Sequence, residues 1–349
     1  MSGLSASLKK NWPWVAMVFF LAAFYSTFFT LGQLAKSDLA LNDEIQQSQV
    51  DARQALKDRE EIFLKNIQAR PRLFQTLSLS LLIILIWGLA LDIRFFARKF
   101  KKREDVAQGE RLGPVSWGVR DVFHVFMLLF FVEAVLLTVE FFIGTLFHLN
   151  ESHKDLLLMI NSLIRDLIVA VFVIELVRRK YGQPLAELGL TARDFLKNVR
   201  VGLTGYLAVI PPLLATLFLM ASAASFFHYE PPPQAVVQIY LRESSQHSLL
   251  FFTLFVAIVG PVIEEIFFRG FTFRVFRSRY GPRAGAVLSA LLFSSLHMNL
   301  IAFLPIFLLG LFLAHLYERT GSLVPSMTAH IAHNLIMVLF TLGFKSFSS

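Results

Sequence analysis

The residues best suited to chemistry stand between Pro261 and Gly270, at the end of an apolar run that begins near Leu249. This segment is long and apolar enough to be read as membrane-spanning, and it carries Glu264, Glu265 and Arg269. Charged side chains at bilayer depth cost about 2.5 to 3.5 kcal/mol each on insertion scales, so all three are functional candidates. A spacing of four residues puts Glu265 and Arg269 on one helix face, where they can pair. Glu264 then points about 100° away and is free for another role.

Two further polar motifs follow in later apolar segments. His297 stands four residues after Phe293, so both side chains share a helix face. His330 and Asn334 have the same spacing in the last apolar segment. An imidazole can hold a water or pass a proton, and two side-chain donors aimed at one point can stabilise an oxyanion. Together with Glu264 as a general base, these residues make a hydrolytic set without a metal or a Ser or Cys nucleophile.

Each of these residues also has a structural interpretation. The two glutamates could brace Arg269 in an ion network, and His297 could be an interfacial histidine near the end of a span. His333 and His315 are interpreted as packing or helix–helix hydrogen-bonding residues. The hydrolytic hypothesis therefore depends on the three motifs meeting at one place.

Charged residues also fall inside two earlier apolar segments. Glu133 and Glu140 are seven residues apart, hence on roughly one face of a helix, and Arg165 and Asp166 lie midway along the next segment. Counted outward from the short turn between the segments, Glu140 and Arg165 come to similar depth. We therefore predict a structural ion pair between Glu140 and Arg165, with a proton relay as the alternative.

The composition indicates a polytopic membrane protein. The chain has 349 residues, of which 55% are hydrophobic and 17% charged, whereas a soluble domain averages about 25% charged residues. The net charge of +8 is read as topological, because basic residues of membrane proteins concentrate in cytoplasmic loops. Cysteine is absent, which excludes disulfides, thiolate nucleophiles and cysteine-ligated metals. The predicted fold class is all-α, a transmembrane helical bundle.

Apolar runs of suitable length predict eight or nine spans, with the N-terminus in the cytoplasm. The strongly basic stretches follow the second, fourth and sixth runs and fall on one side under alternation, which sets the orientation. The first run is too long for a signal-peptide core and no A-x-A site follows it, so it is read as an anchor. The nine predicted spans are 13–34, 73–91, 122–148, 154–177, 200–222, 248–271, 284–298, 300–317 and 324–344.

The predicted organisation has four parts. A polar, helix-favouring stretch after the first span is read as a solvated helical hairpin arm outside the cytoplasm, with contact to a partner or substrate as the alternative. The parts are an N-terminal membrane anchor (1–34), an extracytoplasmic helical arm (35–72), accessory transmembrane helices (73–199) and a catalytic transmembrane core (200–349).

The three motifs, taken together, resemble a known family. Glu-Glu-x-x-x-Arg, then Phe-x-x-x-His, then His-x-x-x-Asn occur in this order on consecutive spans, over roughly residues 245 to 345. This pattern resembles the CPBP family of CAAX-protease and bacteriocin-processing intramembrane glutamic endopeptidases, which includes the type II CAAX prenyl proteases. The resemblance implies a multi-pass protein of the cell (inner) membrane, with a conical active-site cavity open to the cytosol and no cofactor or metal.

The resemblance also implies a role for each motif residue. Glu264 would activate the attacking water with the help of His297, and His330 with Asn334 would stabilise the oxyanion. The remaining motif residues, Glu265, Arg269 and Phe293, would support the site.

The implied substrate is a protein or peptide at the membrane, with a prenyl group or a C-terminal sorting tail as possible features. Nucleic acid is not expected as a partner. Two alternative functions are a zinc-dependent membrane protease, for which Glu264, His297 and His330 would be the ligands, and a non-proteolytic scaffold or bacteriocin immunity protein.

Overall fold

The computed structural model describes residues 39–101, 112–229 and 234–348, and within these residues it contains ten helices and no strand. The all-α prediction is therefore confirmed. The helices are α1 (Leu39–Gln68), α2 (Pro71–Lys101), α3 (Val119–Phe147), α4 (Glu151–Glu175, continued by a π-helical turn Leu176–Lys180), α5 (Phe195–Phe226), α6 (Ala235–Arg242), α7 (Gln246–Tyr280), α8 (Pro282–Leu296), α9 (Leu300–Thr320) and α10 (Val324–Phe347).

Seven of the helices in the described part of the chain are long and apolar enough to cross a membrane. They are α2, α3, α4, α5, α7, α9 and α10, and they coincide with predicted spans. The seventh predicted span corresponds to α8, which is apolar but only 15 residues long. The first predicted span, 13–34, lies outside the described residues. The number of spans and the cytoplasmic N-terminus therefore remain predictions.

The loops before α3 and α5 meet the C-terminal end of α7. Arg274 donates to the Glu187 carbonyl at 2.8 Å and to the Gly113 carbonyl at 3.2 Å. Arg277 pairs with Glu318 at the end of α9, with Nε 2.5 Å from Oε2. Gly281 adopts φ +85° and ends α7, and a proline begins α8 at once. The described parts of the loops before α3 and α5 thus lie at the same end of the bundle as the end of α7.

A second polar network closes the opposite end of the bundle. The Glu243 carboxylate accepts from the Ser245 N–H at 2.7 Å and from the Ser152 hydroxyl at 2.9 Å. Burial opposes ionisation of Glu243, but these hydrogen bonds outweigh it and hold the pKa of the carboxyl below its usual range. Arg242 pairs with Asp155 at 2.9 Å, which ties the end of α6 to the start of α4.

The predicted hairpin arm is a single helix, α1, so the prediction of a hairpin is wrong. Polar residues throughout Leu39–Gln68 favour helix and hold no turn signal, and the break comes only at Pro71. The end of α1 rests on the end of α10: Asn66 donates to the Phe347 carbonyl at 2.8 Å, and the Phe63 and Phe344 rings lie 5.1 Å apart. The arm and the end of the last helix therefore share one side of the bundle.

Close helix approach in the core depends on glycine at Gly202 of α5. A Cβ added there would lie 2.5 Å from the Pro325 carbonyl oxygen of α10, whereas one added at Gly144 of α3 would meet nothing within 4 Å. We expect Gly202→Ala to lower the free energy of unfolding by about 1–3 kcal/mol through overpacking. Gly144→Ala is the matched control and should not destabilise. Unfolding of the two purified variants in detergent measures the difference, and equal stability would contradict the packing described.

Candidate functional site

The helix that carries the two glutamates changes its hydrogen-bond pattern on both sides of them. Phe255–Val259 and Ile266–Phe273 are π-helical, and the α-helical segment Gly260–Glu265 lies between them. The Gly260 N–H donates to the Phe255 carbonyl, five residues back. π-helical turns are rare and are frequent at functional sites.

Asn334 satisfies a backbone group that this pattern leaves without a helical partner. Continued by one residue, the π pattern would pair the Val256 carbonyl with the N–H of Pro261, which proline lacks. Asn334 Nδ2, from α10, donates to that carbonyl at 2.9 Å. An unsatisfied buried carbonyl would cost about 1–3 kcal/mol. The carboxamide thus holds the backbone just before Glu264 and keeps a second N–H for another acceptor.

Glu265 and Arg269 form a fully buried ion pair. Arg269 Nη1 lies 2.7 Å from Glu265 Oε1, and both side chains have zero exposure. Arg269 also donates to the Gly310 carbonyl of α9 at 3.4 Å, and its guanidinium lies 4.3 Å from the centre of the Phe293 ring of α8. The pair therefore joins three helices through a salt bridge, a hydrogen bond and a cation–π contact.

His330 connects the two glutamates. Its Nδ1 lies 3.0 Å from Glu265 Oε1, and its Nε2 lies 3.6 Å from Glu264 Oε2. Glu265 is ionised because it pairs with Arg269, so Nδ1 of His330 carries the hydrogen of this bond. Nε2 is thereby directed at the Glu264 carboxylate, just beyond hydrogen-bonding distance.

Glu264 differs from its neighbour because its carboxylate reaches a cavity. The Glu264 side chain is 32% exposed and lines a cavity of about 310 Å³ together with Phe293 and His297. His297 Nδ1 lies 2.8 Å from the Phe293 carbonyl and must donate there, which leaves Nε2 of a neutral imidazole with a lone pair. The centre of the Phe293 ring lies 4.8 Å from that of the His297 ring and 5.6 Å from that of the His330 ring.

The structure thus brings the three motifs together. Glu264 and His297 line the same cavity, and His330 contacts the Glu264 carboxylate at 3.6 Å. Asn334 lies one turn further along α10, and one of its N–H groups is bonded to the Val256 carbonyl. His333 contacts the Tyr206 hydroxyl at 3.2 Å, in agreement with its interpretation as a helix–helix hydrogen-bonding residue. The catalytic roles themselves remain predictions.

The predicted pair between Glu140 and Arg165 is wrong. Arg165 Nη1 pairs with Glu133 Oε2 at 3.0 Å and Nη2 with Asp166 Oδ1 at 2.9 Å, whereas Glu140 accepts from Asn161 at 2.8 Å. The short turn between α3 and α4 places Glu140 level with Asn161, one helical turn before Arg165. Glu133, Arg165 and Asp166 also line the cavity beside Glu264. Sequence reasoning missed this because it counted depth along the helices without their rotation.

A metal site was the basis of the zinc-dependent alternative. Among the residues that the structure describes, no group of three His, Asp or Glu side chains has the spacing to hold a metal ion. Nδ1 of His330 and Nδ1 of His297 face Glu265 and a backbone carbonyl, so only their Nε2 atoms would be available as ligands. The zinc hypothesis therefore rests on the sequence argument alone.

Removing one member of the buried ion pair should be costly. Arg269→Gln leaves the Glu265 carboxylate buried without its counter-ion, and we expect a loss of about 3–5 kcal/mol in the free energy of unfolding. Arg179→Gln is the control, because Arg179 pairs with Glu175 at the same spacing but is 83% exposed, and it should have little effect. Denaturant unfolding in detergent compares the two, and similar losses would contradict the assigned burial.

The role of Asn334 in the backbone can be tested through Pro261. Asn334→Ala should cost about 1–3 kcal/mol of stability because the Val256 carbonyl loses its donor. Pro261→Ala supplies an N–H that can reach this carbonyl, so the cost of Asn334→Ala should fall in the double variant. Pro305→Ala in α9 is the control and should combine additively with Asn334→Ala. Additivity with Pro261→Ala as well, in the same unfolding measurements, would show that the two residues do not share this carbonyl.

Comparison with known proteins identifies the region that carries the site. Residues 246–336 match the family model described as type II CAAX prenyl endopeptidase Rce1-like. A curated relative, an uncharacterized 24.3 kDa protein of Escherichia coli, is 27% identical over 232 residues, which are 65% of this chain and 90% of that protein. No solved structure matches the chain. The matched region contains the three motifs, so the family model is similar to this chain over the residues that carry the resemblance to the CAAX-protease (CPBP) family.

Proposed function

We propose that this protein is an intramembrane endopeptidase in which Glu264 and His297 activate the water that hydrolyses a peptide bond. The observation that carries the proposal is that these two side chains line one cavity inside an apolar bundle. The lipid excludes water, but a water molecule in this cavity can reach both the Glu264 carboxylate and the lone pair of the His297 imidazole. The matched family is one of membrane proteases, which agrees with a hydrolytic reaction.

In the proposed reaction, Glu264 accepts a proton from water while the water oxygen bonds to the carbonyl carbon of the substrate. His297 Nε2 accepts the second hydrogen of the water as a hydrogen bond and orients it. The tetrahedral intermediate then collapses, the carbon–nitrogen bond breaks, and the proton held by Glu264 passes to the departing amine. The products are a carboxylic acid and an amine, and no covalent enzyme intermediate is needed.

The oxyanion of the intermediate is assigned to His330 and Asn334. His330 donates from Nδ1 to Glu265, so donation from Nε2 to the oxyanion requires a second hydrogen on the imidazole ring. Asn334 offers the N–H that the Val256 carbonyl does not use. Preorganised donors in a site without bulk water act on developing charge with little reorganisation. The buried Glu265–Arg269 pair fixes the position of His330.

The substrate in this proposal is a membrane-associated or lipid-linked protein or peptide. The protein would be a multi-pass component of the cell membrane, with the site opening toward the end of the bundle where the loops before α3 and α5 meet the end of α7. The test substrates should be prepared with and without a prenyl group, and with and without a C-terminal sorting tail, to determine whether either feature is recognised.

Loss of either activating residue should remove most of the cleavage. We expect Glu264→Ala and His297→Ala to reduce the cleavage rate of a membrane-tethered peptide by about 10²-fold or more in purified protein. Glu140→Gln is a matched control, because Glu140 is also a glutamate inside the bundle but bonds Asn161 away from the cavity. Full activity of either active-site variant would rule out the assigned roles.

The alternative functions give different results in the same system. A zinc-dependent enzyme would lose activity on treatment with a chelator and regain it with zinc, whereas the proposed mechanism predicts no change. A scaffold or immunity protein would keep its phenotype in cells that carry correctly folded Glu264→Gln. Mass spectrometry of membrane-protein termini, comparing wild type with Glu264→Ala, identifies substrates directly, since new termini should appear only with the wild type.

A further inference from the structure

The wall of the cavity that faces Glu264 carries a charged cluster from other helices. Glu133 of α3 and Arg165 and Asp166 of α4 line the same cavity of about 310 Å³ as Glu264 and His297. Their side chains are 36%, 26% and 15% exposed, respectively. A substrate that reaches Glu264 must therefore pass close to this cluster, which is named here the Arg165 cluster.

The Arg165 cluster has more acidic than basic side chains. It has two carboxylates and one guanidinium, and Glu264 adds a third carboxylate to the cavity. Uncompensated charge at bilayer depth is costly, and such residues are normally paired with one another. A cavity with this balance favours a guest that brings a positive charge.

The hydrogen bonds of Arg165 also favour a positively charged guest over a carboxylate. Its Nη1 donates to Glu133 Oε2, and its Nε and Nη2 both face Asp166 Oδ1. An incoming carboxylate would have to compete with both acidic side chains for the guanidinium and would be repelled by them. Each of these acidic side chains has a second carboxylate oxygen, Glu133 Oε1 and Asp166 Oδ2, and these are acceptors suited to an ammonium or guanidinium donor.

We propose that the Arg165 cluster is a specificity subsite that binds a lysine or arginine side chain of the substrate next to the scissile bond. The inference rests on the proposed protease function, because it takes the cavity beside Glu264 as the place of cleavage. The subsite belongs to α3 and α4, outside the matched residues 246–336, so the preference follows from helices that the family match does not cover.

The test uses membrane-tethered peptides that differ at one residue. Lysine, glutamine or glutamate is placed in turn at each of the three positions on either side of the scissile bond. At one position, we expect the wild type to cleave the lysine peptide with a kcat/KM about tenfold above the glutamine peptide, and the glutamate peptide more slowly than both.

Substitution of Glu133 links that preference to the cluster. Glu133→Gln keeps the Arg165–Asp166 pair and should lower kcat/KM for the lysine peptide about tenfold, with the glutamine peptide within twofold of the wild type. Glu140→Gln, seven residues further along α3 and bonded to Asn161, is the control and should leave all three peptides unchanged. Binding of the lysine and glutamine peptides to the Glu264→Gln variant in nanodiscs gives a second reading that does not depend on turnover.

The outcomes separate this inference from the proposed function. Equal cleavage and equal binding of the lysine and glutamine peptides overturn the subsite and leave the protease function intact. An equal loss with every peptide in Glu133→Gln also overturns it, because Glu133 then has a structural role only. Cleavage that persists in Glu264→Ala overturns the proposed function itself, whatever the peptide preference.

Discussion

The Glu265–Arg269 ion pair is the constraint on which the rest of the core depends. Two opposite charges with no exposure can be kept in an apolar bundle only if every neighbour helps to satisfy them. His330 supplies a donor from α10, the Gly310 carbonyl an acceptor from α9, and Phe293 an aromatic face from α8. Four helices are thereby held at fixed distances around one pair. Glu264, the preceding residue, lines the cavity.

Backbone irregularity is the second device that shapes the site. π-helical turns lie on either side of the α-helical segment Gly260–Glu265. Within that segment the adjacent glutamates point about 100° apart, so Glu265 is fully buried and Glu264 reaches the cavity. The missing N–H of Pro261 is compensated from a separate helix by Asn334. A carboxamide placed in this way is a structural donor, and under the proposed function it also donates to the oxyanion. Its two N–H groups allow both tasks.

Much of this could be predicted from the sequence, for reasons that particular residues make clear. Apolar runs identified the helices because hydrogen-bonded helix is the usual way for a single apolar segment to satisfy its backbone in lipid. The i, i+4 spacing correctly paired Glu265 with Arg269. Two features were out of reach. The register between α3 and α4 depends on helix rotation, so Arg165 was assigned the wrong partner. The hydrogen bond from Asn334 to the Val256 carbonyl depends on a π-helical turn that no residue pattern predicts.

The cavity combines walls of separate origin in the chain, and this division has an evolutionary consequence. Glu264 and His297 lie in the region that matches the endopeptidase family model, whereas the opposite wall comes from the α3–α4 hairpin earlier in the chain. Under the proposed function, mutations in the hairpin can redirect the enzyme to new targets while the hydrolytic machinery stays under purifying selection. Relatives with similar motifs and diverged hairpins would then catalyse the same reaction on different substrates.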